Sequence, residues 1–133
     1  MTSLTRPRLL RAAAVSACLA VAGLAGTQSP AFAATCSVKS TKYPNANPGG
    51  YFTSLKVTGV GCRSGKSLMV AYYNCRRKGG QGVSGRCKQS TVNGLRCRES
   101  RPASGNNGSE FNAKVTCTKG SKKVVHTYQQ NLG

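Results

Sequence analysis

Few residues in this chain could do acid–base chemistry. His126 is the only histidine, and Glu99 and Glu110 are the only acidic side chains among 133 residues. A glutamate base, a histidine acid and a nearby Arg or Lys are the minimum set for a secreted ribonuclease. Spacing argues against that use. Phe111 to Thr118 and Lys122 to Gln129 read as a hairpin about a two-residue Gly120-Ser121 turn of II′ type, which sets Lys119 opposite Lys122, Cys117 opposite Val124 and Val115 opposite His126. Glu110 then lies five residues further along its strand, about 16 Å away at roughly 3.3 Å per residue. His126 reads instead as a half-buried imidazole beside Val115 and Tyr128, and no catalytic residue is assigned.

Two other chemistries fail on pattern. Gly59-Val60-Gly61-Cys62-Arg63-Ser64-Gly65-Lys66-Ser67 suggests a phosphate-binding loop, but G-x-x-x-x-G-K-S would require glycine where Val60 stands. A metal site lacks both a C-x-x-C pair and a second histidine, so neither metal nor cofactor is expected.

Cysteine chemistry depends on compartment. The chain opens with a charged region of Arg6, Arg8 and Arg11, an apolar run from Ala12 to Ala25 and an A-x-A signal at Ala31-Phe32-Ala33. That pattern predicts a secretory signal peptide over residues 1–33 and an extracellular product, with cell-wall association as a further expectation. Cys18 sits mid-way in the apolar run, which disfavours a lipoprotein, and the run is too short for a spanning helix. Cys36, Cys62, Cys75, Cys87, Cys97 and Cys117 remain, an even set that reads as three disulfides. Fifteen pairings are open to six cysteines. The expected set is Cys75 with Cys87, Cys62 with Cys97, and Cys36 with Cys117.

Removal of the leader takes three of the 20 Lys and Arg, leaving 17 against two glutamates, a net charge of +15 on 100 residues with no aspartate. Such a chain leans towards disorder by composition, and the disulfides must compensate. Mixed charge would solubilise it with less self-repulsion, so the imbalance points to attraction for polyanions.

The element most clearly written in the sequence is a helix beginning at Cys62 and stopped by Gly79-Gly80. Leu68, Ala71, Tyr72 and Cys75 form an apolar stripe, and Ser64 is the expected cap. Its outer face carries Arg63, Lys66, Asn74 and Arg77, with Val70 among them and Tyr73 at the border. The expected anion-binding set is Arg63, Lys66, Arg76, Arg77 and Lys78, with Tyr73 as a stacking edge. Residues 34–50 form an N-terminal segment in which Ala34 to Lys42, with Cys36, reads as an edge strand and is followed by a Pro/Gly loop; 51–133 form the disulfide-rich domain. Within it Tyr51 to Val60 and Val92 to Arg98 read as strands, the latter with Asn93-Gly94 as a bulge or turn, and 101–109 as a loop. The fold class is α+β, one helix packed on a small antiparallel sheet.

The order GVGC at the helix start, AYYNC followed by RR, then GGQGVSGRC, NGLRC and FNAKVTCTKGSKKVVHTYQQN, resembles a group of small secreted, cysteine-containing proteins of Streptomyces-like actinobacteria. The resemblance spans roughly Val57 to Asn131. It implies export and a compact α+β module, and it carries over no catalytic residue, ligand or partner.

These features predict a secreted, non-enzymatic basic domain that binds an anionic polymer or acidic protein outside the cell or at its envelope. Two alternatives belong to other classes. One is a protease or other hydrolase inhibitor acting through a Lys78 to Cys87 loop; the other is a cationic antimicrobial effector.

Overall fold

A computed structural model describes residues 31–44, 47–103 and 106–133, so the expected leader up to residue 30 lies outside the described residues. The elements are β1 (Ala33–Thr35), β2 (Gly50–Thr58), α1 (Cys62–Arg77) with a 3-10 turn (Lys78–Gly80), β3 (Arg96–Ser100), β4 (Glu110–Lys119) and β5 (Lys122–Asn131). They form one antiparallel sheet in the order β1-β2-β5-β4-β3, with α1 packed on one face. The α+β architecture is thus the one that the sequence predicts.

The β4–β5 hairpin has the predicted register, with Lys119 opposite Lys122, Cys117 opposite Val124 and Val115 opposite His126. Gly120, at φ 56, supplies the left-handed backbone that a two-residue turn needs. Alternate residues Phe111, Ala113, Val115 and Cys117 are buried on the same face as Val124, His126, Tyr128 and Gln130. β2 keeps to that face only through a bulge. Phe52 pairs with Tyr128 and Ser54 with Thr127, so Thr53 is an inserted residue, and Phe52, Leu55 and Val57 all reach the core despite their uneven spacing. Asn93 (φ 48) and Gly94 (φ 76) form a tight turn bridged by Val92 and Leu95 just before β3.

The helix differs from expectation in its cap and its rotation. Gly61 precedes it in extended conformation with no side-chain cap, and Ser64 lies inside the first turn, exposed, without capping. The buried stripe is Gly65, Leu68, Met69, Tyr72 and Arg76, flanked by Tyr73 and Cys75, while Ala71 is only half-buried. Gly65 permits the closest approach. A Cβ there would lie 2.6 Å from Val57 Cγ1 and 3.3 Å from the Leu55 methyls.

Cys75 pairs with Cys87, as expected, but Cys36 pairs with Cys62 and Cys97 with Cys117. The expected Cys62–Cys97 and Cys36–Cys117 bridges are therefore overturned, and sheet order gives the reason. β1 runs antiparallel to β2 at one edge, and the Cys36 N–H donates to Leu55 O, close to the start of α1. β3 lies at the opposite edge, where Cys97 stands directly across from Cys117.

Candidate functional site

Arg76 is the largest fully buried side chain, at 0 % exposure. One guanidinium nitrogen donates to Val83 O (2.7 Å), and the other donates to Tyr43 Oη (3.0 Å) and to Gln130 Oε1. The plane also lies over the rings of Tyr73 and Tyr128, each 4.8 Å away. Three acceptors on the two terminal nitrogens and two aromatic faces replace part of the water this cation loses, while Nε is buried without a hydrogen-bond partner. Burial pushes the Tyr43 hydroxyl up to about 12, although Arg76 pulls the other way.

Glu99 is the anionic counterpart, its side chain only 3 % exposed. The hydroxyls of Tyr72 (3.0 Å) and Tyr128 (2.9 Å) donate to Oε2, and Arg101 (2.5 Å) and Arg86 (3.4 Å) donate to Oε1. Burial, reinforced by the adjacent carboxylate, raises the pKa of both tyrosines. Arg101 also donates to Ser84 O and Gly85 O, so this network pins the loop that Cys75–Cys87 closes. His126 is fully buried among Phe52, Tyr72 and Tyr128, and neither ring nitrogen has a hydrogen-bond partner. Burial alone lowers its pKa to about 4. The buried imidazole packs against its aromatic neighbours, and the four-times-bonded Glu99 carboxylate holds Tyr72, Tyr128, Arg101 and Arg86 in place beside an open pocket of about 420 Å³ that Glu99 lines with Tyr72, Arg86 and Arg98. Among the described residues no three His, Cys, Asp or Glu gather as a metal-ligand set.

The residues predicted to bind anions are dispersed. Arg76 and Tyr73 are buried and leave the surface, a correction caused by the rotation of α1. Arg63 and Lys78 are exposed, but fifteen residues separate them along the helix, about 22 Å at 1.5 Å per residue. Arg77 is half-buried, and Lys66 donates from Nζ to Ser40 Oγ (3.0 Å). Lys66 also lines an open groove of about 770 Å³ with Lys42, Pro44, Val70, Ala71 and Asn74. Arg63 borders a second, of about 340 Å³, with Leu68, Leu95 and Val124.

The hairpin pattern set Lys114, Thr116, Val125 and Thr127 on the sheet face turned away from α1, but sequence reasoning gave that face no binding role. The register puts Lys123, Thr118 and Arg96 in one row across β5, β4 and β3, and Lys56, Val125, Thr116 and Arg98 in the next across all four long strands. A third row holds Thr127, Lys114 and Ser100, with Thr53 and Ser54 at the bulge, and a fourth holds Tyr51, Gln129 and Asn112. Lys56, Arg96, Arg98, Lys114 and Lys123 are all exposed. The alternation of Arg96 with Arg98, and of Lys114 with Val115, was the available signal.

Among the described residues no helix is long and apolar enough to cross a membrane. No family model, curated protein or solved structure matches the chain.

Proposed function

We propose that this chain is a secreted, non-enzymatic basic domain that binds an anionic partner outside the cell or at its envelope. The observation that carries this reading is where the acids lie. Glu99 is engaged inside by two arginines and two tyrosines, and Glu110, half-buried, accepts from Gln129. Both ion pairs among the described residues end on Glu99, so the remaining Lys and Arg lack a carboxylate partner there. A surface left positive in this way attracts polyanions by releasing their counterions. The leader pattern and three disulfides support export. Binding of the oxidised protein to sulfated dextran across a salt series tests the reading. The logarithm of the binding constant should fall linearly with the logarithm of salt concentration. Salt-independent binding, or none at low salt, contradicts it.

A second reading, inhibition of a hydrolase, gains support from the loop between Cys75 and Cys87, which Arg76 and Arg101 pin through Val83, Ser84 and Gly85. An inhibitor of this kind survives incubation with a trypsin-like protease and blocks it at a one-to-one ratio; cleavage after Arg86 or Lys88 removes the reading.

A further inference from the structure

We infer that the uncovered face of the sheet is the docking surface, and that its occupant is an acidic polysaccharide, a chain of hydroxylated rings bearing carboxylates. The inference rests on the proposed anion binding and narrows it.

Charge complementarity comes first. Lys56, Arg96, Arg98, Lys114 and Lys123 project from one face, and Glu110, the single acid there, sits beyond the Tyr51 row at the far end. At about 3.4 Å per residue and 4.8 Å per strand, these rows span about 20 by 14 Å, with neighbouring cations roughly 7 to 10 Å apart. That is an extended, periodic array, suited to a chain with repeated charges and ill-suited to one small ion.

The groups between the cations decide the class of polymer. Thr116 and Thr118 stand beside the arginines of β3, and hydroxyl side chains both donate to and accept from sugar hydroxyls. Sheets that bind single-stranded nucleic acid stack successive bases on several aromatic rings. This face has one exposed aromatic ring, Tyr51, at 52 % exposure. Its hydroxyl donates to Gln129 Oε1, the neighbouring position in its row, which tethers the ring at the end of the platform. One fixed ring gives a sugar an apolar face to stack on, with the acidic groups of later rings running towards Lys114, Arg98 and Arg96.

The test measures binding of the oxidised protein to polygalacturonate, with neutral dextran and oligothymidylate as comparisons. A triple variant on the sheet face, Lys56→Gln with Arg98→Gln and Lys114→Gln, should bind polygalacturonate about tenfold or more weakly and lose roughly one unit of salt slope per residue. A helix-side triple of equal charge, Arg63→Gln with Lys66→Gln and Lys78→Gln, should stay within about threefold of the parent, because its cations are distributed over the opposite side. Tyr51→Ala should weaken polygalacturonate without changing the salt slope. Equal losses from both triples overturn the docking surface and leave anion binding standing. A larger loss for oligothymidylate than for polygalacturonate on the sheet triple and on Tyr51→Ala assigns the face to nucleic acid and overturns the glycan. A parent protein that binds neither polymer at low salt overturns the glycan, and one that also fails to bind sulfated dextran removes the proposed function as well. All these substitutions fall on exposed or half-buried side chains, and unchanged disulfide pairing in each variant confirms that it has folded.

Discussion

His126 has been given an aromatic environment and no hydrogen bond, so its neutral form is the one that the fold accepts. Its pKa falls from 6.5 towards about 4 on folding, which means the unfolded chain binds the extra proton between those values. Stability is therefore complete above about pH 6.5 and declines as pH drops towards 4, by on the order of 3 kcal/mol in all. Thermal melts across that window should show the decline, and His126→Phe should flatten it while filling the same space. An identical pH dependence in the variant would sink the assignment. Part of this was legible beforehand, because the hairpin register put His126 on the apolar face beside Val115 and Tyr128. The burial of Arg76 was not. A basic run at a helix end ordinarily meets solvent, and only the tertiary arrangement of Tyr43, Val83 and Gln130 reveals three acceptors converging on one guanidinium.

At the level of the elements, α1 lies on β2 because Gly65 has no side chain. Gly65→Ala improves helix propensity by about 1 kcal/mol, yet its methyl would collide with Val57 Cγ1. Overpacking of this kind costs about 1–3 kcal/mol. Net destabilisation of up to about 2 kcal/mol is expected in urea melts, whereas an exposed control, Asn74→Ala, should show none. Stabilisation by Gly65→Ala would mean the helix stands further from the sheet. Hairpin and helix were legible because each is local: alternation, a turn residue and a 3.6-residue period identify them. The long-range order β1-β2-β5-β4-β3 was not, and the two wrong disulfides follow from that gap. Strands adjacent in sequence usually pair, and applying this to β3 and β4 would have placed Cys97 against Cys117. The cationic extent of the outer sheet face beyond the hairpin was not legible for a related reason. Lys56, Lys114 and Arg98 are far apart in the chain and meet only through the register.

For the molecule as a whole, a net charge of +18 works against compaction, while bridges closing separations of 26, 12 and 20 residues restrict the unfolded chain. Each bridge contributes about 2–4 kcal/mol. Added sodium chloride should raise the melting temperature by screening the repulsion, and full reduction should abolish the folded circular dichroism spectrum. A melting temperature that falls with salt would show that attractive pairs outweigh the repulsion. The same charge also bears on how copies of the protein meet one another. A sheet with two open margins invites strand-to-strand growth into fibres, a hazard blunted by very short or cationic margins. One margin here is the three-residue β1 and the other is β3 with Arg96 and Arg98, so concentrated solutions should stay clear until a polymer of opposite sign cancels that guard.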